Sequence, residues 1–157
     1  MEVGRQLSNS LEQMRLEIKS QGSAQGALLC DYAVFKEMYA LHMRNLERMG
    51  TSMYLGLVMV GAVAGQLSAA RQEEIMGELG GLLQGSLRKG DTIAQMNANT
   101  YALLLPMVDR QTSVMVMERL KRAFARRYPG DGLLMAYRVG PISECRPLRK
   151  GKGKSIC

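Results

Sequence analysis

Apolar residues recur along this 157-residue chain with two different periods, and the alternation between them predicts its elements. Leu7, Leu11, Met14 and Ile18 lie four, three and four residues apart with charged or amide residues between them. That is the a/d seam of a short amphipathic helix over residues 1–21. Two heptads make only a marginal helix in isolation, so the seam implies a longer coiled coil or packing on a partner or a second copy. Gly22-Ser-Ala-Gln-Gly26 breaks the period and reads as a linker. Asp31 is then placed to cap a second helix in which Val34, Phe35, Met38, Leu41, Leu46 and Met49 recur at helical spacing, ended by Gly50.

After Gly50 the periods alternate. An apolar strand is expected near Met53 to Val60 and a helix near Ala69 to Leu87, followed by the breaker Arg88-Lys-Gly-Asp91. Two strands follow, Thr92 to Met96 and Tyr101 to Met107, around the polar turn Asn97-Ala-Asn-Thr100. A basic amphipathic helix from about Gln111 to Arg127 turns Val116, Met117, Leu120, Ala123 and Phe124 inward. Pro129-Gly-Asp-Gly132 stops it, and Leu133 to Val139 forms a last strand. The order βαββαβ is that of a ferredoxin-like α+β fold, an antiparallel sheet with helices over one face, here preceded by N-terminal helices. The chain divides accordingly into a helix and linker (1–26), a folded domain (27–142) and a tail (143–157). A chain of this length can bury a core without staples.

Composition narrows the function. The net charge of +7 suggests a nucleic-acid binder until it is located. Arg146, Arg149, Lys150, Lys152 and Lys154 supply five of those charges with no acid among residues 146–157, leaving +2 on the first 145 residues. The Gly/Lys-rich tail is expected to be disordered. It reads as a solubilising segment or as a nonspecific phosphate-binding arm. Arg119, Lys121, Arg122, Arg126 and Arg127 read as a solvated outer helix face, and with few aromatics no RNA-stacking sheet surface is suggested.

Thr51 to Ala70 is uncharged over a membrane-spanning length, but Gly56, Gly61, Gly65, Gln66 and Ser68 interrupt it, so strand, loop and helix start is the expected reading and no membrane span. The three cysteines, Cys30, Cys145 and Cys157, are odd in number and without a CxxC pair, which fits a reducing cytoplasm better than a disulfide framework. Residues 1–10 lack the apolar core of a signal peptide. The single histidine, His42, has no companion ligands and reads as a packed or surface residue; no metal or cofactor is expected.

Residues 87–106 read Leu-Arg-Lys-Gly-Asp-Thr-Ile-Ala-Gln-Met-Asn-Ala-Asn-Thr-Tyr-Ala-Leu-Leu-Leu-Pro. This resembles the signature hairpin of GGDEF (diguanylate cyclase) domains, in which an LRxxD turn leads through a short strand to the GGDEF turn and a strand ending in LLLP. The five signature positions fall on Asn97, Ala98, Asn99, Thr100 and Tyr101, where only the aromatic character of the last survives. The resemblance extends over roughly residues 27–142. In the family the paired glycines let backbone approach the nucleotide, and carboxylates in the turn and at the end of the first core strand hold metal. Here the strand end is Val60-Gly61-Ala62 and the turn has no acid, so the resemblance implies a scaffold without cyclase chemistry.

Arg88 and Asp91 keep the Arg-x-x-Asp motif and its interval to the turn that mark the inhibitory cyclic di-GMP site of many cyclases. A guanidinium can grip phosphate or a guanine edge in bidentate fashion. Both residues are also ordinary in a polar helix-to-strand turn, where Asp bonds local backbone. Gly26-Ala-Leu-Leu-Cys-Asp-Tyr-Ala-Val-Phe-Lys-Glu-Met-Tyr39 resembles the C-terminal module of bacterial regulators that carry a transcriptional activator domain upstream, where any DNA contact would belong. The expectation is a non-enzymatic signalling module acting by protein contact or dimerisation. A cyclic di-GMP receptor and a tail-borne nucleic-acid binder are the alternatives.

Overall fold

The structure, a computed structural model, describes residues 1–21, 25–50 and 52–142. The basic positions Arg146, Arg149, Lys150, Lys152 and Lys154, and the centre of the expected linker, lie outside the described residues. Among the described residues four helices and five strands follow one another: α1 (Glu2–Gln21), β1 (Leu28–Leu29), α2 (Tyr32–Met49), β2 (Met53–Ala62), α3 (Ala69–Ser86), β3 (Thr92–Asn97), β4 (Thr100–Pro106), α4 (Arg110–Arg127) and β5 (Leu133–Pro141). Of the uncharged stretch, the described residues 52–70 hold a strand, a loop and a helix start. Among the described residues no helix is long and apolar enough to cross a membrane.

The strands form one sheet in the order β1-β3-β4-β2-β5. All neighbours pair antiparallel except β1, which lies parallel to β3 through Leu28↔Thr92 and Leu29↔Ile93. The expected all-antiparallel, four-stranded core therefore gains a parallel edge. Two residues carry no readable period, so β1 had no pattern to announce it. Strand alternation then sorts side chains to two cores. Val58 and Val60 of β2, Tyr101, Leu103 and Leu105 of β4, and Met135 of β5 face α3 and α4, which bring Ile75, Leu79, Leu83, Met117, Leu120 and Phe124. Met53, Ala94, Ala102 and Leu104 face the other way, toward Phe35 of α2. Helices thus cover both faces, not one, because α2 lies across the face that the βαββαβ unit leaves open.

Local chemistry sets the helix ends. Ser68 accepts the Arg71 N–H (3.2 Å) and Asp109 that of Thr112 (2.7 Å), and these N-caps start α3 and α4. Asp31 stands at the N-cap of α2 without a side-chain cap bond, and Gly50 closes that helix at φ 61°, a left-handed position that glycine adopts at no steric cost. On α2, Val34 and Leu41 are exposed, contrary to their expected place on the buried stripe. The side of α2 that meets the sheet is built on Phe35, with Met38, Tyr39, Met43 and Leu46 half-buried beside it. Leu7, Leu11, Met14 and Ile18 of α1 are 45–66% exposed, as are Val3 and Leu16 outside the seam.

Candidate functional site

Two places on this scaffold carry the residues singled out by sequence, and they sit at opposite ends of β3. The first is the β3–β4 hairpin. Asn97 pairs with Thr100, so Ala98 and Asn99 alone form its tip. Among the described non-glycine residues only Met107 has positive φ, so this tip closes without the left-handed residues that would demand glycine. Its polar groups are used within the fold. The Asn97 side chain accepts the Asn99 N–H (3.1 Å), the Thr100 hydroxyl donates to Asn99 Oδ1 (3.0 Å), and the Asn99 carbonyl accepts the Val60 N–H (3.0 Å). Gln72 of α3 donates through Nε2 to the Ala98 carbonyl (2.9 Å), tying helix to hairpin.

Thr100 is only 1% exposed, and the Tyr101 hydroxyl donates to the Met76 carbonyl (2.9 Å) inside the core. Burial raises the Tyr101 phenol above its ordinary pKa. Of the five signature positions, then, Thr100 and Tyr101 point inward, Asn97 and Ala98 are exposed, and Asn99 is half-buried. Asn99 joins Val60, Gly61, Ala62, Gly65, Gln66, Leu67 and Gln72 around a cleft of about 260 Å³. The two segments that the resemblance paired, the end of the first core strand and the hairpin, do meet here. The lining offers three carboxamides and aliphatic walls and no carboxylate. Among the described residues no group of three or more His, Cys, Asp or Glu side chains converges as a metal site.

The second place is the turn between α3 and β3. Asp91 is 3% exposed, and its Oδ2 accepts the Arg88 N–H (2.8 Å) while its own N–H bonds the Arg88 carbonyl (3.0 Å). Burial pushes its carboxyl above the ordinary 3.8, against the lowering effects of the Arg88 N–H bond and of the Arg88 and Arg119 charges. Asp91 therefore braces the turn, while the Arg88 side chain stays exposed. Arg119 of α4, expected on a purely solvated face, instead reaches back to the same turn and donates to the Ser86 carbonyl (2.8 Å). Sequence spacing held no sign of this contact, which spans 33 residues.

A further cleft of about 320 Å³ lies between α3 and α4, lined by Glu78, Leu79, Leu82, Phe124, Arg127 and Tyr128. The Tyr128 hydroxyl donates to the Glu78 carboxylate, and Arg127 stands 3.8 Å from the same acid. Burial, then the Glu78 bond and charge, push the Tyr128 phenol up to about 12. Arg127 is thus another cation that the expected solvated face does not leave unpartnered.

No family model matches the chain, and no curated protein does. Solved structures do. The chain is similar to the diguanylate cyclase SiaD from Pseudomonas aeruginosa, solved in complex with its activator SiaC, at 17% identity and TM-score 0.64, over 97% of this chain and 61% of that one. It therefore spans less than two thirds of the length of SiaD. It is similar to the coiled coil and GGDEF domain of DgcB from Caulobacter crescentus, solved with c-di-GMP, at 11% identity and TM-score 0.62, over 88% of this chain and 82% of that one. A DGC protein from Thermotoga maritima aligns at 18% identity and TM-score 0.54, over 72% of this chain and 81% of that one. At these identities the likeness is one of architecture: the chain has the fold of the GGDEF diguanylate cyclase domains.

Proposed function

We propose that this chain is a non-catalytic signalling module that acts by protein contact or self-association, as the regulatory end of a bacterial transcriptional regulator. The lining of the hairpin cleft carries the reading. Phosphoryl transfer from a nucleoside triphosphate needs anionic ligands to hold divalent metal against the phosphates. Carboxamides and aliphatic side chains fill those places here, and Thr100 turns its hydroxyl into the fold. The exposed apolar seam of α1 supplies a surface for a second copy or a partner. The test pairs two measurements on the full chain: cyclic di-GMP formation from GTP and magnesium, and sedimentation combined with pull-down from the native host. Turnover above a no-enzyme control, or a monomer that captures no partner, would overturn the proposal.

A second reading, a cyclic di-GMP receptor, is favoured by the meeting of Arg88 and Arg119 at one turn. Two exposed guanidiniums beside a carboxylate locked into backbone leave positive charge available to a phosphodiester. Titration calorimetry with Arg88→Ala and Arg119→Ala tests it. Each variant should weaken binding by about 10-fold or more, since hydrogen bonds to charged groups are worth about 1.5–3 kcal/mol. A wild-type chain silent up to millimolar ligand removes this reading.

A further inference from the structure

At the end of the sheet where β2 and β3 begin and β4 and β5 end, the loops meet around one exposed apolar residue, Met107. Register sets Met53 opposite Pro106, Tyr54 opposite Pro141 and Thr92 opposite Leu104, so the end of α2, the α3–β3 turn and the start of α4 share this pole. Ser52 joins two of these segments: its carbonyl accepts the Met107 N–H (2.8 Å) and its hydroxyl donates to the Val108 carbonyl (2.7 Å). Gly90 brings in the third, since a Cβ there would stand 3.9 Å from Pro106 Cγ. Val108 is buried, whereas Met107, between it and Pro106, is 79% exposed and holds φ at 56°. The left-handed region is sterically costly for methionine and easier for glycine or asparagine. The bonds to Ser52 nevertheless hold this side chain out in water.

Cations surround that methionine. Arg44 and Arg48 in the last turns of α2, Arg88 and Lys89 in the α3–β3 turn, and Arg110 at the start of α4 are all exposed. None of them stands in an ion pair among the described residues. The acids of the same segments (44–52, 88–91 and 106–110) are Glu47, Asp91, which accepts the Arg88 N–H, and Asp109, which accepts that of Thr112. Toward the opposite end, by contrast, Arg71 and Arg127 pair with Glu74, Asp131 and Glu78. The chain leaves β5 at Pro141, beside Tyr54, so residues 143–157 set out from the cationic pole. The three segments carry +2 and residues 143–157 carry +4, six of the chain's seven net positive charges. We propose that this pole docks peripherally on an anionic phospholipid surface, with Met107 entering the interface and the cations around it meeting headgroup phosphates. Charge alone would suit any polyanion, but the phosphate backbone of a nucleic acid offers an exposed methionine no apolar partner, whereas a lipid interface does. Each cation near such a surface strengthens binding by about fivefold, and the tip contributes by leaving water.

The test is cosedimentation of the full chain with phosphatidylcholine vesicles, with and without about 30% phosphatidylglycerol, beside fluorescence anisotropy with a random-sequence DNA duplex. Wild type should bind the anionic vesicles, lose about 10-fold or more in affinity between about 50 and about 200 mM salt, and leave the neutral vesicles unbound. Met107→Asn suits the left-handed backbone, so it should unfold in urea no earlier than wild type while binding anionic vesicles about threefold or more weakly. Arg48→Gln/Lys89→Gln/Arg110→Gln leaves Arg88 and residues 143–157 intact and should weaken vesicle binding by about 30-fold or more. Vesicle binding that either variant holds within about twofold of wild type overturns the pole as the docking surface. A wild-type chain that binds the duplex and ignores anionic vesicles is a nucleic-acid binder and overturns the lipid contact, as does one that binds neither.

Discussion

Helix α3 contains Gly77, Gly80, Gly81 and Gly85 within 18 residues, a composition that weakens it, and the structure assigns these glycines different reasons. At Gly77 and Gly81 an added Cβ meets nothing within 4 Å. Alanine there should stabilise by about 0.5–1 kcal/mol each, through helix propensity and the reduced freedom of the unfolded chain. Together they should raise Tm by roughly 2–8 °C for a chain of this size. At Gly80 the same Cβ would stand 2.5 Å from the Tyr101 hydroxyl oxygen and 3.3 Å from Cζ. That ring is 4% exposed and tethered to the Met76 carbonyl, so it has nowhere to retreat.

Overpacking a core costs about 1–3 kcal/mol, and the displaced hydrogen bond about 0.5–1.5 kcal/mol more. Set against a propensity gain of about 1 kcal/mol, Gly80→Ala should be destabilising by about 1–3 kcal/mol. Tyr101→Phe removes the oxygen that clashes, so in Gly80→Ala/Tyr101→Phe the two losses should fall short of their sum by at least about 1 kcal/mol. Urea unfolding of the four species, followed by circular dichroism, measures the cycle. Additive effects, or a Gly80→Ala protein as much stabilised as Gly77→Ala, would refute the close approach of helix and ring.

Three further outcomes are expected. The raised carboxyl of Asp91 makes its ionisation costly in the folded state, so its contribution is full below the ordinary 3.8 and is lost as pH rises through the raised value. The stability of wild type relative to Asp91→Asn, from urea titrations between pH 3 and 7, should therefore fall as pH rises; a rise would show a net favourable charge on Asp91. Difference titration of Tyr128→Phe against wild type at 295 nm should place the Tyr128 phenol at about 12, and Glu78→Gln should lower it; stability from this group is present below the ordinary 10 and lost toward 12. Thr100→Glu, which puts an acid into the hairpin turn, should yield no cyclic di-GMP from GTP and should destabilise by about 2 kcal/mol or more, since the position is 1% exposed. Wild-type stability in that variant would show that the side chain escapes to solvent.

The regular elements were legible because long apolar periods and local stop signals are local properties. Leu133 onward read as a strand, Gly50 ended a helix, and the hairpin tip fell within Asn97 to Thr100, as observed. What stayed hidden depends on residues distant in sequence. Arg119 carries no mark that distinguishes it from Arg122 until α4 is laid beside the end of α3. The union of Val60 to Ala62 with Asn99 followed from family resemblance, but the part played by Gln72 did not, because an amide on a helix face is unremarkable until a carbonyl is opposite it. Gly80 left a faint trace, since a glycine inside a helical pattern often marks a close approach.

The position of the two candidate places argues for how such a module would work. Six residues of β3 stand between the Arg88–Asp91 turn and the hairpin tip, and the seven steps from Asp91 to Ala98 span about 23 Å at strand rise. A small ligand bound at the turn cannot touch the cleft. The cleft is closed upon itself by Gln72, Asn99 and Thr100, and it offers no charge for an anionic ligand to meet. The turn, in contrast, exposes Arg88, engages Arg119 only through a carbonyl, and is bonded to the segment that carries α1. Unspent electrostatic attraction and the weakest-held strand lie at the same end of the sheet. An anionic ligand therefore meets exposed positive charge at the turn and none in the lining of the hairpin cleft.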